Sequence, residues 1–292
     1  MNRSKFLSLA AGAAAGSLLN SCTRHISAQA PFQYRTLNRS VPTADDLKSY
    51  YERFTNWGRW GKDDKLGTLN FIDEEVVLNA KNSIRLGRSF TLGRQMTSGK
   101  LRMIFYDREG TNLKTAHDEI TVTCHGYTET HIDALSHIYT LDEKVYNGYS
   151  QTLINEKGAS VHGIENWKDG IATRGVLYDI SKLRGVPFIP IDEPVQGYEL
   201  EDYARKHNIQ PKKGDATIIH CGRNEFFRSN PNNPNWLGQK PGLNPSVLEF
   251  LHAYNSALLG CDFDEAPNLN NRYPTAIPIH AVANPYMGLP TL

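Results

Sequence analysis

The sequence lacks most of the features that place a chain at once in a special class. It has 4 cysteines in 292 residues, too few for the disulfide framework of a small secreted domain. No apolar run reaches the roughly 18 residues that a membrane-spanning helix needs. Neither charge is in excess, since 32 lysines and arginines stand against 31 aspartates and glutamates. No nucleic-acid partner is therefore expected, because phosphate recognition requires a basic surface.

Three common functional motifs are also missing. The sequence has no GxSxG elbow, no Walker loop and no GxGxxG fingerprint, so a serine hydrolase, an NTPase and a dinucleotide-binding protein all lack their motif here. The chain does have a globular composition, with 39% hydrophobic, 22% charged and 10% aromatic residues. About 260 residues remain after the N-terminal segment, enough for one large domain. A small-molecule substrate is the expected partner.

Residues 1–30 have the order of an export signal. Arg3 and Lys5 come first, an apolar stretch of small residues follows, and the A-x-A pattern at 28–30 resembles a cleavage site. Cys22 lies in a loose lipobox that would carry a lipid anchor, and the first residues also resemble a twin-arginine signal with one arginine missing. We predict an exported protein, periplasmic or lipid-anchored at the cell envelope, with no transmembrane helix after cleavage. The alternative is a buried N-terminal helix.

Apolar periodicity in the rest of the chain predicts alternating strands and helices, which is typical of the α/β class. Helices are predicted over Asp45–Phe54, Asp73–Ile84, Gly197–His207 and Leu243–Tyr254, and strands over Asp118–Cys124, Gly175–Ile180, Ala216–Cys221 and Ser256–Asp262. We predict an N-terminal arm over residues 31–56 and one domain over 57–292, with an irregular loop from Arg223 to Pro245. Three cysteines in apolar runs are expected to be buried free thiols: Cys124, Cys221 and Cys261.

Metal-ligand side chains are concentrated between His125 and His137. In an extended chain His131 and Asp133 point to the same face, and Asp133 shares a face with His137 if the chain turns helical after it. Histidine nitrogens with a carboxylate oxygen suit zinc or manganese and leave positions open for water. The alternative is local hydrogen bonding at a strand-to-helix turn. His125 and Glu129 fall on the same strand face, but a glycine follows His125, so the roles of both residues stay open.

The same stretch resembles a known family. Thr130-His131-x-Asp133-Ala134-x-x-His137, followed by Tyr146-Asn147-Gly148, is similar to the signature of the metal-dependent cyclase superfamily, which includes bacterial kynurenine formamidases and isatin hydrolases. Further matching pieces follow in the family's order: Asn56-Trp57-Gly58-Arg59-Trp60-Gly61, Leu66-Gly67-Thr68-Leu69-Asn70, Gly175-Val176-Leu177-x-Asp179, Gly214-Asp215, Gly260-x-Asp262 and Pro278-Ile279-His280. The resemblance covers roughly residues 55–290 and implies a single swivelling β/β/α-type domain with an N-terminal arm.

The resemblance implies roles for the residues that match the motif. His131, Asp133 and His137 fall on metal-centre residues of the family, with His137 as a proton-transfer base or second-metal ligand. His280 falls on a downstream histidine near the same centre, where it would ligate, orient or act in catalysis. Tyr127 stands where the family has its first metal histidine. The chain also stops before the family's last acidic residue, so either it is incomplete or its final strands and second-metal site are altered. We therefore expect one divalent metal ion, Zn²⁺ or Mn²⁺.

The resemblance further implies a metal-dependent hydrolase that cleaves a C–N amide bond, other than a peptide bond, through a metal-activated water. The expected substrates are small N-formyl amides, lactams or cyclic imides, aromatic or cyclic in type, and a homo-oligomer is expected. Trp57, Trp60 and Tyr127 are candidate substrate-binding residues because flat apolar surfaces suit such molecules, with ordinary packing as the alternative for the tryptophans. Two other functions stay open: a metal-dependent lyase or cyclodehydratase, and a non-catalytic exported ligand-binding protein on the same fold.

The 10 histidines of the chain thus fall into groups. His25 lies in the predicted export signal and would leave with it. His131, His137 and His280 carry the predicted chemistry, and His125 and His220 have no assigned role. Four others occur in contexts typical of surfaces or helices: His117, His162, His207 and His252.

Overall fold

The computed structural model of this chain describes residues 31–96, 99–107, 109–123, 125, 129–231 and 238–292. The predicted export signal with its lipid-anchor residue Cys22 lies outside the described residues, as do Cys124 and Tyr127. The chain divides into two units, Met1–Gln33 and Tyr34–Leu292, and all elements below belong to the second. Among the residues described, no helix combines the length and the apolar character needed to cross a membrane.

Helices and strands alternate along much of the second unit, as the apolar periodicity predicts. The helices are α1 (Ala44–Arg53), α2 (Glu74–Lys81), α3 (Ile180–Arg184), α4 (Gly197–Lys206), α5 (Arg223–Ser229), α6 (Val247–Ala253) and α7 (His280–Val282). The strands are β1 (Lys100–Asp107), β2 (Lys114–Thr121), β3 (Ile154–Asn155), β4 (Gly158–Ala159), β5 (Gly175–Asp179), β6 (Ala216–His220) and β7 (Leu258–Cys261). Helices combined with small sheets agree with the α/β class, whereas the swivelling arrangement and the N-terminal arm stay predictions.

The core of the second unit is a parallel sheet in the order β5-β6-β7. Its strands are the apolar runs that the sequence predicts, and the register pairs Tyr178 with Ile219 and Ile219 with Cys261. Tyr178 meets Phe250 of α6 edge to face, with ring centroids 5.4 Å apart, and Leu200 of α4 is fully buried. Packing against these helices removes the facing side chains Tyr178 and Ile219 from water, whereas Leu177 on the other face of β5 stays 54% exposed.

The last residues of the chain continue this sheet beyond β7. The amide of Leu259 donates to the carbonyl of Pro290 at 3.1 Å, and the amide of Leu292 donates to the carbonyl of Leu259 at 2.8 Å. On its other side Thr291 forms an antiparallel bridge with Asp133, whose amide donates to the Thr291 carbonyl at 2.8 Å. The backbone of Asp133 is thereby fixed to an extension of the central sheet.

Strands β1 and β2 form an antiparallel hairpin of their own. The sequence predicts a strand over Asp118–Cys124, whereas β2 begins at Lys114 and ends at Thr121. Its apolar side chains are exposed, with 56% of Ile120 accessible to water. The alternation of apolar residues therefore predicts a strand here but not the burial of its apolar face, since burial depends on what packs against it.

Two predictions about helices need correction. The α2 helix begins at its predicted cap, where the Asp73 side chain accepts a hydrogen bond from the Val76 amide at 2.9 Å. None of its residues is buried, however, because no element covers the predicted apolar face completely. The predicted loop from Arg223 to Pro245 begins instead with α5. The Asp262 carboxylate, just beyond β7, accepts a hydrogen bond from the Arg223 amide at 2.9 Å, which satisfies a backbone donor at the start of that helix.

The predictions for the cysteines are confirmed where the structure describes them, whereas one prediction for a histidine is wrong. Cys221 is buried and Cys261 is half-buried, and both are free thiols as predicted. Burial raises the pKa of the Cys261 thiol to about 12, so it is protonated at neutral pH. The sequence context suggests a surface position for His162, which is wrong: this residue is only 1% exposed. Its Nε2 lies 2.9 Å from the carbonyl oxygen of Tyr146, and this contact supplies a polar partner in the interior.

Candidate metal centre

Asp133 faces a group of histidines because its chain neighbours are anchored on the opposite side. Ile132 and Ala134 pack against an apolar cluster. The cluster consists of Leu69, Leu135, Tyr146 and Trp167. Successive side chains of an extended chain point to opposite faces, so Asp133 points away from this cluster. Asp133 is nevertheless only 4% exposed, because the histidines cover it.

Three histidine nitrogens converge on one oxygen of Asp133. The Oδ1 atom lies 3.1 Å from His125 Nδ1, 3.4 Å from His131 Nε2 and 3.9 Å from His137 Nε2. Despite these neighbours, Oδ1 is buried and accepts no hydrogen bond within the described part of the chain. A buried carboxylate oxygen without such a partner is costly. The arrangement therefore suits a cation bound to this oxygen.

The spacing of these atoms fits a divalent ion. Nitrogen and oxygen ligands lie about 2.0–2.2 Å from zinc, so two ligand atoms of one tetrahedral ion are about 3.3 Å apart. One ligand atom each from His125, Asp133 and His137 lies within 4.8 Å of the others, and His131 brings a further nitrogen to the same carboxylate. This mixed nitrogen and oxygen set suits zinc- or manganese-type ions, whereas magnesium and calcium bind mainly oxygen.

The ring of His131 is oriented by a backbone carbonyl group two residues earlier in the chain. Its Nδ1 lies 2.9 Å from the carbonyl oxygen of Glu129. A carbonyl oxygen only accepts hydrogen bonds, so Nδ1 carries the proton and Nε2 is left to face Asp133. Metal-binding histidines usually donate their second ring nitrogen in this way. Glu129, whose role the sequence left open, therefore contributes its backbone carbonyl to the centre.

His137 reaches the centre through a turn, and the helix that its spacing suggests does not form. Its amide donates to the carbonyl oxygen of Ala134 at 3.0 Å. The side chain of Asn284 takes up the neighbouring backbone groups, because it donates to the same carbonyl at 3.0 Å and accepts from the Ile138 amide at 3.2 Å. Asp133 and His137 still come together, but by a different local structure than predicted.

The charges of the centre favour an ionised Asp133 and a neutral His137. Burial alone would raise the pKa of Asp133, but the hydrogen bond with His280 and the charges of His137 and His131 hold that pKa below its ordinary value. Burial lowers the pKa of His137, and this effect outweighs the attraction of Asp133. At neutral pH the centre thus presents a carboxylate and an unprotonated imidazole, the forms that bind divalent ions.

His280 approaches the second oxygen of the same carboxylate. Its Nε2 lies 3.5 Å from Asp133 Oδ2, and its Nδ1 lies 2.5 Å from Glu265 Oε2. Burial alone would lower the pKa of His280, but the two carboxylates raise it to about 10. The contact also holds the pKa of Glu265 below its ordinary value despite burial. Glu265 escapes sequence analysis because its separation of 15 residues from His280 follows no local periodicity.

The candidate substrate-binding residues lie in other surroundings. Trp57 packs against the apolar cluster, and its Nε1 donates to the carbonyl oxygen of Pro285 at 2.7 Å. Trp60 meets the ring of Phe71 edge to face, with centroids 5.1 Å apart. Packing therefore accounts for these contacts of both tryptophans, and a role in substrate binding stays a prediction. Tyr127 lies outside the described residues.

A second polar cluster occupies the carboxyl ends of the parallel strands. His220, which the sequence leaves unassigned, has Nδ1 3.2 Å from Asp179 Oδ1 and Nε2 3.6 Å from Asp262 Oδ2. Ser181 donates to Asp179 at 2.9 Å and lies 3.3 Å from His220 Nδ1. Ser181 is only 4% exposed. These contacts link the ends of β5 and β6 to the segment after β7.

The fold and the centre define an α/β protein with a buried aspartate surrounded by histidines, a group of side chains that could hold a metal ion. A family described as "Putative cyclase" matches residues 40–265. The chain belongs to this cyclase family, as the resemblance carried by Thr130 to His137 implies. None of the curated proteins matches the chain significantly.

Solved structures include chains with a similar fold. A protein described as a novel cyclase has a TM-score of 0.73 at 24% sequence identity, over 82% of this chain and 84% of that chain. Isatin hydrolase A from Labrenzia aggregata, bound to benzyl benzoate, has a TM-score of 0.43 at 17% identity, over 72% of this chain and 73% of that chain. Isatin hydrolase A from Ralstonia solanacearum has a TM-score of 0.43 at 14% identity, over 72% of each chain. The likeness to the novel cyclase shows the fold alone.

Proposed function

We propose that this protein is a metal-dependent hydrolase that cleaves a C–N amide bond, other than a peptide bond, in a small molecule. One observation carries the proposal: the buried Oδ1 atom of Asp133 accepts no hydrogen bond within the described residues and is faced by nitrogens of three histidines. Membership of the cyclase family supports it. The proposed substrates are N-formyl amides, lactams or cyclic imides of aromatic or cyclic molecules.

His125, His131 and Asp133 would hold one Zn²⁺ or Mn²⁺ ion in this proposal. The bound ion would supply Lewis acidity, which polarises a carbonyl group and lowers the pKa of water towards about 7. His125 takes the place of the family histidine that is missing at position 127, because its Nδ1 is the nitrogen nearest to Asp133 Oδ1. His131 is already oriented for the same task by the Glu129 carbonyl.

His137 is the proposed proton carrier. Its Nε2 is the farthest of the three nitrogens from Asp133 Oδ1, at 3.9 Å. Burial lowers its pKa, so the ring is unprotonated at neutral pH and can accept a proton from water. Asp133 beside it stabilises the protonated ring, which then gives the proton to the leaving nitrogen. Amide cleavage needs this second transfer because nitrogen leaves poorly without a proton.

Metal analysis and a substrate panel test the proposal together. Purified protein should contain about one zinc or manganese ion per chain and should convert formyl-amides, isatin-type lactams or cyclic imides into products with a new carboxylate. Asp133→Asn should lose both the ion and the activity. His137→Ala should keep the ion and lose about 100-fold or more in kcat. His207→Ala, at the exposed C-terminal end of α4, is the matched histidine control and should behave like the wild type.

Other outcomes would point to the other functions. Protein without an ion, or loaded protein that cleaves no C–N bond in a broad panel, contradicts the hydrolase. A product that forms without a new carboxylate indicates a lyase or cyclodehydratase on the same ion. Ligand binding that needs no ion and is unchanged by His137→Ala indicates a non-catalytic binding protein.

The cell envelope is the proposed place of action. The signal-like order of residues 1–30 supports export, with or without a lipid on Cys22, and the family resemblance supports a homo-oligomer. Mass spectrometry of the protein recovered from the envelope would show whether cleavage precedes Cys22, as lipidation requires, or follows Ala30.

A further inference from the structure

We propose that Glu265 is a positioning residue that fixes the ring of His280 so that its Nε2 faces the metal centre. The inference rests on the proposed function, because it assumes an ion at Asp133. It adds to that centre a residue that lies outside the motif and acts only through His280.

Glu265 holds His280 at two points. Its Oε2 accepts a hydrogen bond from Nδ1 at 2.5 Å, and its Oε1 accepts one from the backbone amide of His280 at 3.3 Å. One carboxylate thus fixes both the ring and the backbone at the start of α7. Only 3% of Glu265 and 9% of His280 are exposed, so water hardly competes for these bonds.

The backbone that carries the carboxylate is itself held firmly. The amide of Leu243 donates to the Asp264 carbonyl at 2.9 Å, and the Leu243 carbonyl accepts from the Ala266 amide at 3.0 Å. These bonds pair Leu243 in parallel with Glu265. Gly242 allows the close approach, since a side chain at that position would collide with the backbone of Ala266. Because its backbone is fixed in this way, the Glu265 carboxylate can determine the orientation of the His280 ring.

The contact determines which nitrogen of His280 an ion would meet. A carboxylate accepts hydrogen bonds, so Nδ1 keeps its proton. Nε2, at 3.5 Å from Asp133 Oδ2, is then the nitrogen that would give up its proton when an ion binds. Carboxylate–histidine–metal arrangements fix the ring and make it a better ligand. Without Glu265 the ring could rotate or present the other tautomer, and the affinity for the ion would fall.

Glu265→Gln tests this role because it keeps the size of the side chain and removes its charge. Titration of the full chain with Zn²⁺ against a competing chelator should show an affinity about 10- to 100-fold lower than the wild type. Glu265→Asp, which keeps the charge, should recover part of that loss. The matched control is Glu249→Gln, since Glu249 also accepts a hydrogen bond of 2.5 Å, from the Tyr50 hydroxyl. It should leave the affinity for Zn²⁺ unchanged.

A double-mutant cycle with His280→Ala separates positioning from a general loss of stability. If Glu265 acts through His280, Glu265→Gln lowers the Zn²⁺ affinity only when His280 is present. An equal loss in both backgrounds, or a wild-type affinity in Glu265→Gln, overturns the inference. Failure of the proposed function has a different result: wild-type protein that binds Zn²⁺ but cleaves no amide leaves the role of Glu265 standing. A wild-type chain that binds no Zn²⁺ overturns both.

Discussion

At the scale of residues, the two oxygens of Asp133 face different partners. Oδ1 faces His125, His131 and His137, whereas Oδ2 faces His280. A carboxylate this deeply buried is stable only if charges or hydrogen bonds compensate its lost hydration. His280 supplies part of that compensation at Oδ2, and a cation bound between Oδ1 and the facing histidines would supply the rest. The ring nitrogens of His125 and His131, the proposed ligands, should therefore matter more to ion affinity than to folding.

His125→Ala should weaken Zn²⁺ binding by at least about 10-fold, because losing a direct ligand should cost no less than losing a group that orients one. Chelator competition measures the affinity, and thermal unfolding shows whether the fold is intact. The matched control is His117→Ala, since His117 lies exposed on β2 with its Nε2 3.1 Å from the Thr115 hydroxyl. If His125→Ala binds Zn²⁺ as tightly as the wild type, then His131, Asp133 and His137 hold the ion without it.

The sequence predicts only the local part of this centre. His131, Asp133 and His137 lie within seven successive positions of the chain, so their spacing is enough to predict that their side chains meet. The spacing of His125 also places it on the same strand face, but the glycine that follows leaves its role open in the sequence. Glu265 could not be predicted, because its contact with His280 depends on tertiary packing around Leu243.

At the scale of elements, the sequence predicts those helices and strands that are buried because of their own apolar pattern. β5, β6 and β7 with α4 lie close to their predicted spans, whereas α6 is shorter than predicted. The sequence predicts a loop at the start of α5, because the group that stabilises the start of this helix lies far away in the sequence. Asp262 accepts hydrogen bonds from the amides of Cys221, Gly222 and Arg223 at 2.7, 3.0 and 2.9 Å. A cap supplied by a residue about 40 positions away leaves no signal in a local window.

Acid should weaken the hydrogen bonds that hold residues 36–37 to α4. Glu201 of α4 accepts hydrogen bonds from the amides of Thr36 and Leu37 and from the Tyr254 hydroxyl. Burial alone would raise the pKa of Glu201, but these bonds hold it below its ordinary value of 4.5. The stabilisation is therefore complete above pH 4.5 and is lost as the pH falls through the lower, folded-state pKa.

Amide hydrogen exchange of Thr36 and Leu37 across this range measures the effect. Glu201→Gln should make their exchange about 10-fold faster at neutral pH, since hydrogen bonds to a charged acceptor contribute roughly 1.5–3 kcal/mol. It should also remove the acid dependence of their protection, which is the exchange rate relative to that of an unstructured amide at the same pH. Glu52→Gln, on the exposed side of α1, is the matched control. Exchange in Glu201→Gln that matches the wild type at every pH would show that the backbone is held by other contacts.

At the scale of the whole molecule, the centre draws on parts of the chain that only the complete fold brings together. Asp133 is bridged to Thr291, which is bridged in turn to Leu259 of β7, and His280 adds a nitrogen from α7. The α/β class was predictable from the alternation of elements. The bridge from Thr291 was not, because it uses a backbone carbonyl and has no side-chain signature.

Ion binding should consequently stabilise the entire second unit. The proposed ligands lie together only in the folded chain, and an ion that binds only this form adds about 2.7 kcal/mol to the free energy of unfolding at 100 times its Kd. Scanning calorimetry should show a Tm several degrees higher with Zn²⁺ than with a chelator. Mg²⁺ should have little effect, since it prefers ligand sets made of oxygen.

Asp133→Asn shows whether that stabilisation comes from the candidate centre. The substitution keeps the shape of the side chain and the backbone bridge to Thr291, but removes the negative charge that the ion needs. Unfolded chains also bind zinc through cysteine and histidine, which would lower the Tm of both proteins equally. The difference between the Tm shifts of the wild type and of Asp133→Asn therefore measures the stabilisation that comes from the candidate centre. A rise in Tm confined to the wild type is the expected result. An equal rise in both proteins would mean that Zn²⁺ binds elsewhere and that the ligand set around Asp133 is wrong.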